Sequence, residues 1–225
     1  MYHWDAEEYR TSSSNQKKWA LELLSKLNLQ GNERVLDIGC GDGEVTAAIA
    51  RRVPGGSAVG IDSSRDMVDL AATRYSPEHC PNVSFVLKDA RELDFDEEFD
   101  AVFSNACLHW VIDHQPVLAG IRKCLKPSGR VLLQMGGKGN ATTVLQAIDT
   151  VLKMPRWSRY FQGFAFPYAF HGPEEYRSWL ESIGFQVNRA ELLPKDMVHA
   201  GADAFAAWIR TTWLPYTERV PGSLR

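Results

Sequence analysis

Residues 34–43 read RVLDIGCGDG, a short apolar run interrupted by Asp37 that breaks into glycines at positions 39, 41 and 43. Only glycine leaves the backbone bare, so this pattern marks a strand ending in a turn that a ligand approaches closely. Working outward, further apolar runs occur at SAVGID (57–62), VSFVLKD (83–89), DAVFSN (100–105) and GRVLLQM (129–135). Between them lie the helical stretches EVTAAIARRV, SRDMVDLAATRY and HQPVLAGIRKCL, the last closed by KPSG just before the next strand. Strands alternating with helices at this spacing predict an α/β fold with a doubly wound, mostly parallel sheet. Short, nearly continuous apolar strands fit a sheet covered on both faces.

Upstream, SSSNQKKWALELLSKLNL predicts an N-terminal helix with serines as its N-cap and Gly31 as its stop. Ala20, Leu23, Leu24 and Leu27 then share one face. Beyond residue 136 the character changes. ATTVLQAIDTVLKM reads as a helix and leads into residues 155–170, where seven of sixteen residues are aromatic, a density that suits a cap. GPEEYRSWLESIGF and ADAFAAWIRTTWLPY read as two more helices, and QVNRAELLP between them as a sixth strand. The expected organisation is one domain: residues 1–30 a helical lid, 31–136 the ligand-binding core, and 137–225 the cap and C-terminal elements.

The bulk numbers narrow the function classes. A net charge of −3 provides no basic footprint for a phosphate backbone, so no nucleic-acid partner is expected. No apolar stretch approaches the roughly 20 residues that span a bilayer, and the N-terminus lacks a secretory signal, so a cytoplasmic protein is expected. The four cysteines, Cys40, Cys80, Cys107 and Cys124, form no CxxC and no Cys/His cluster. No metal is therefore expected, and reduced thiols fit that compartment. The sequence does not decide between monomer and dimer.

The ligand is read from the acids. A dinucleotide turn requires G-x-G-x-x-G, whereas here Glu44 stands where the third glycine belongs. Asp37 also sets a carboxylate where a pyrophosphate tolerates none, and an ammonium and sulfonium suit it better. Asp62 closes the second strand, where a carboxylate accepts both hydroxyls of a ribose. Asp89 closes the third, where its side chain and the next amide can read an adenine edge. Each acid alone also has a plain structural reading, as a helix cap or a turn residue.

Taken together, the glycine turn DIGCGDG and the acids at three successive strand ends resemble the class I S-adenosylmethionine-dependent methyltransferases. That resemblance implies S-adenosylmethionine as cofactor and S-adenosylhomocysteine as product. By its motifs Asp37 organises the methionine end, Gly39 and Gly41 admit the backbone, Asp62 and Ser63 meet the ribose, and Met67, Asp89 and Ala90 surround the adenine. Asn105, at the end of the fourth strand, joins the cofactor-binding set. These sheets usually add an antiparallel seventh strand after the helix ending near Trp213. The chain stops before one is supplied, so a shortened C-terminus with an unpaired edge is expected.

After the fourth strand comes FSNACLHWVID, which lacks the Asn/Asp-Pro-Pro-aromatic turn of nucleic-acid amine methyltransferases. Instead LHWV resembles the juvenile hormone acid, trans-aconitate and malonyl-carrier-protein methyltransferases, all of which act on carboxylates. The juvenile hormone acid group implies that Gln16 and Trp110 face the acceptor carboxylate. The expected reaction is methyl transfer to a small, largely apolar organic acid. Its alternatives are O-, N- or C-methylation of another metabolite with His109 as base, or cofactor binding without catalysis. Trp157, Tyr160, Phe161, Phe164 and Phe166 either wall an apolar acceptor pocket or pack the cap's own core. Arg156 and Arg159 either draw in an acidic substrate or are simply exposed.

Overall fold

The structure, a computed structural model, describes residues 14–222. Helix α1 (Ser14–Leu24) tightens into a 3₁₀ turn over Ser25–Leu27 and stops where Asn28 takes a left-handed φ of 51°. The stop is thus three residues earlier than Gly31, because asparagine also tolerates that conformation at a C-cap. The serines at 12 and 13 lie outside the described residues. The core follows as β1 (Arg34–Ile38), α2 (Glu44–Ala50), β2 (Ser57–Asp62), α3 (Arg65–Arg74), β3 (Val83–Leu87), β4 (Phe99–Asn105), α4 (Gln115–Cys124) and β5 (Leu125–Gln134). All strand pairs are parallel, in the order β3-β2-β1-β4-β5.

Strand alternation sorts the core into two layers. Leu36 and Ile38 of β1 join Val59, Ile61 and Val102 on the face packed by Val117, Leu118 and Ile121 of α4. Val35 turns the other way, with Ala58, Ala101 and Phe103, onto Ala20, Leu23 and Leu24 of α1 and Ala48 and Ile49 of α2. Asp37 shares the face of Val35 by the same alternation, so it points toward α2. The KPSG segment interrupts the last pairing: the partner of Phe99 is Leu125, and that of Ala101 is already Arg130. This irregularity lets β5 begin directly from α4.

Downstream are α5 (Thr142–Leu152), α6 (Pro155–Ser158), α7 (Pro173–Ser182), α8 (Ala202–Thr212) and α9 (Leu214–Thr217). Tyr176, Trp179 and Leu180 of α7 cover the α4 side of the core. The aromatic segment mostly packs on itself: Phe161 and Phe164 gather with Trp208 around buried Tyr168, Trp213 and Tyr216. Phe166 stays about half exposed at 48%. Arg156 and Arg159 stack on Trp157 and Tyr160, with 4.6 and 4.7 Å from guanidinium carbon to ring centre.

QVNRAELLP does not form the sixth strand that its composition suggested. Among the described residues the sheet has five strands, and residues 186–194 run past it without pairing. Side chains take over the contacts a ladder would make. Arg177 donates to the Val187 carbonyl (3.0 Å), Arg189 pairs with Glu191 within the segment, and Lys195 lies 5.1 Å over the Trp19 ring.

Candidate active site

In the order β3-β2-β1-β4-β5 the chain leaves β1 in opposite directions, which opens a crevice at the carboxyl ends of β1 and β4. The glycine turn occupies that place. Its Gly39 and Cys40 N–H groups both donate to the Ile61 carbonyl, at 2.8 and 2.9 Å, tying the turn to β2. Gly39 has φ of +76°, and a Cβ there would lie 2.3 Å from both Cβ and Sγ of Cys107. Gly43, φ +80°, is closed in the same way by Phe85 and Ala71, at 2.7 and 2.8 Å. The first glycine opens backbone to the cleft, and the third serves helix packing.

A cleft at this turn is lined by Gln16 and Lys17 of α1, Asp37, Gly39, Gly41, Asp42 and Val45, and Phe103, Asn105 and Ala106 of β4 and its exit. Ala106 holds a strained φ of 54° as the chain leaves β4, and its N–H donates to the Gln134 carbonyl at 2.8 Å. A wider open groove of about 410 Å³ lies along Pro173, Glu174, Arg177 and Glu181, and it contains none of the residues singled out from the sequence.

The two central acids are held in different ways. Asp37 is 2% exposed and accepts from Thr46 Oγ1 at 2.7 Å. Burial, reinforced by the nearby Asp62 charge, pushes its pKa up to about 7. Asp62 accepts from the Gly41 and Ser64 N–H groups, at 3.0 and 2.9 Å, and burial raises its pKa as well. A cationic ligand would relieve both carboxylates. Ser63 is exposed beside them, and Met67, 3% exposed, sits in the first turn of α3 below the Ser64 cap. Asp89 caps a 3₁₀ turn from Ala90 to Glu92, and Arg91 grips it with two side-chain bonds of 2.9 and 2.6 Å. That pair holds the Asp89 carboxyl below its usual range.

Gln16 belongs to the same cleft as Asp37, and its side-chain oxygen is buried without a partner. Asn105 Nδ2 donates to the Gln16 main-chain carbonyl at 3.1 Å, while Asn105 Oδ1 accepts from Gln134 Nε2 at 2.7 Å. The Asn105 amide therefore fixes α1 to the ends of β4 and β5. Lys17 reinforces this, reaching Glu44 at 2.7 Å and the buried Asp42 at 3.1 Å. His109 and Trp110 lie on a 3₁₀ turn, Leu108–Trp110, after β4. The His109 ring is enclosed by Trp110, Tyr168 and Phe170, and burial lowers its pKa to about 4. Its Nδ1 accepts from the Gly136 N–H at 3.3 Å, which places the neutral ring's proton on Nε2. Trp110 meets Tyr168 edge to face with ring centres 5.0 Å apart.

Thus the structure brings Gln16, Asp37, Gly39, Gly41 and Asn105 together at one cleft, with Asp62 on the neighbouring strand. Sequence reading missed Lys17, Asp42, Thr46 and Cys107. Asp42 stood within the quoted turn, but its partners Lys17 and Arg74 lie 25 and 32 residues away. Among the described residues no group of three or more His, Cys, Asp or Glu is placed to hold a metal ion, and no helix is long and apolar enough to cross a membrane.

These features fit S-adenosylmethionine: bare glycine backbone, two carboxylates that favour a cation, and an orphaned buried acceptor. Comparison with known proteins agrees. Residues 35–129 match a methyltransferase domain family. The uncharacterized methyltransferase C70.08c of Schizosaccharomyces pombe is 34% identical over 218 residues, covering 91% of this chain and 80% of that protein. The trans-aconitate 2-methyltransferase of Deinococcus radiodurans is 28% identical, covering 98% and 84%. Among solved structures, Haemonchus contortus phosphoethanolamine N-methyltransferase 2 in complex with S-adenosyl-L-methionine superposes with a TM-score of 0.64 at 26% identity, over 80% of this chain and 41% of that one. The chain belongs to the class I S-adenosylmethionine-dependent methyltransferases.

Proposed function

We propose that this methyltransferase acts on a carboxylate oxygen of a small, largely apolar organic acid. One observation carries the reading: the histidine on the turn after β4 is unsuited to act as a base. Burial holds His109 neutral, and its Nδ1 lone pair is occupied by the Gly136 N–H. An amine, phenol or carbon acceptor calls for proton removal, whereas a carboxylate with a pKa of about 4 is already ionised at pH 7. The similarity to trans-aconitate 2-methyltransferases supports the same class.

When bound, S-adenosylmethionine supplies a methyl group on a sulfonium leaving group. In this reading Asp37, Gly39, Gly41, Asp62, Ser63, Met67, Asp89, Ala90 and Asn105 form the cofactor side. The Gln16 amide and the Trp110 indole donate to one carboxylate oxygen and leave the other free to attack. Neutral donors position the acid without the charge neutralisation that would blunt it as a nucleophile. The aromatic cap of residues 137–222 excludes water from the acceptor side, and α1 serves as the lid. Four free cysteines suit a cytoplasmic protein.

The test is a pair of variants assayed on an acid substrate. Trp110→Ala and Gln16→Ala each lower kcat/KM at least about tenfold, the scale of one hydrogen bond to a charged group. Wild-type turnover in both would falsify the acceptor assignment.

A further inference from the structure

We infer that the Gln16 side-chain carbonyl receives the ammonium group of the cofactor's methionine end. One amide then touches both reactants, its oxygen the cofactor and its NH₂ the acceptor. The first half rests on the cofactor alone, the second on the carboxylate reading above.

Gln16 Oε1 is buried and has no hydrogen-bond partner. Buried acceptors are rarely left so, because the desolvation penalty is uncompensated. The neighbouring cation does not serve it, since Lys17 Nζ is directed to Asp42 at 3.1 Å and Glu44 at 2.7 Å. The Gln16 main chain is held at the same place, its carbonyl accepting from Asn105 Nδ2 at 3.1 Å. Among the described residues no donor reaches it, and a bound ligand is the source that the cleft offers.

The cleft identifies which donor. Gln16 shares it with Asp37, Gly39 and Asn105 at the ends of β1 and β4, whereas Asp62 closes β2. The ribose hydroxyls belong with Asp62, so the cofactor group left for the Gln16 end is its ammonium, with three N–H donors. Asn105 Oδ1 already accepts from Gln134 at 2.7 Å, and Asp37 Oδ2 from Thr46 at 2.7 Å. Asp37 Oδ1 can take one N–H of the ammonium, and Gln16 Oε1, an acceptor with no donor of its own, takes another. A carboxylate acceptor brings no N–H, so it cannot satisfy this oxygen; it takes the NH₂ end instead.

Calorimetric titration without any acceptor tests this, using S-adenosylhomocysteine and its analogue lacking the α-ammonium. Gln16→Met should bind S-adenosylhomocysteine about tenfold or more weakly than wild type, the cost of a hydrogen bond to a charged group. It should bind the deamino analogue within about twofold of wild type, as a ligand–variant cycle isolates that one contact. Gln16→Glu, which keeps an acceptor oxygen, should recover most of the lost affinity for S-adenosylhomocysteine only. Equal losses for both ligands, no loss for either, or Gln16→Glu binding no better than Gln16→Met would overturn the inference. If the ammonium dependence holds while no ester forms, the acceptor reading alone falls.

Discussion

Asp37 concentrates the electrostatics of the site in one side chain. Its raised pKa means that the native state holds the proton more tightly than the unfolded chain does. Its contribution to stability therefore declines as pH climbs from about 4 to about 7 and is flat above. A cationic ligand has the opposite preference and draws the ionised form. Affinity for S-adenosylhomocysteine should thus rise about tenfold from pH 6 to pH 8 and lose that dependence in Asp37→Asn, measured by calorimetry. At Gly39 the constraint is steric. Gly39→Ala places a methyl 2.3 Å from Cys107 in a left-handed conformation, so it should abolish cofactor binding, and a second change, Cys107→Gly, should restore part of it. The glycines and acids were legible because each departs from the composition of an ordinary strand end. Cys107 and Thr46 were not, since their roles depend on which strand and helix the fold sets against them.

At the scale of elements, α1 is joined to the glycine turn by a buried charge. Asp42 is 6% exposed at its side chain and receives Lys17 of α1 and Arg74 of α3, at 3.1 and 2.7 Å. Asp42→Ala removes the carboxylate that Arg74 pairs with and leaves Lys17 with Glu44. Because each cation is partly in solvent, the expected loss is about 1–3 kcal/mol, read as a fall in the urea midpoint. Helix α7 is anchored by Tyr176, whose hydroxyl meets Nδ1 of the buried His114 and lies 3.2 Å from Met135 Sδ. Tyr176→Phe strips that ring of its phenol partner and should cost about 1–3 kcal/mol, with faster amide exchange over Pro173–Ser182 as the signature. The periodicity located these helices and the five strands within a few residues. It misjudged QVNRAELLP because alternation reports an extended chain, while a strand also needs a partner that accepts its hydrogen bonds.

For the whole molecule, the order β3-β2-β1-β4-β5 does what no single motif can, bringing the ends of β1, β2 and β4 to one place. It joins residues as distant in sequence as Gln16 and Asn105, a pairing that composition could not reveal. The same geometry separates two questions. Charge and bare backbone favour the cofactor, whereas the carboxylate acceptor is a proposal that rests on Gln16, Trp110 and the neutral His109. The chemistry of the acceptor is tested most directly with cofactor carrying a labelled methyl group, offered a panel of small organic acids. The product should release its label as methanol in mild base, as a methyl ester does. Label transferred only to base-stable products would contradict the carboxylate reading.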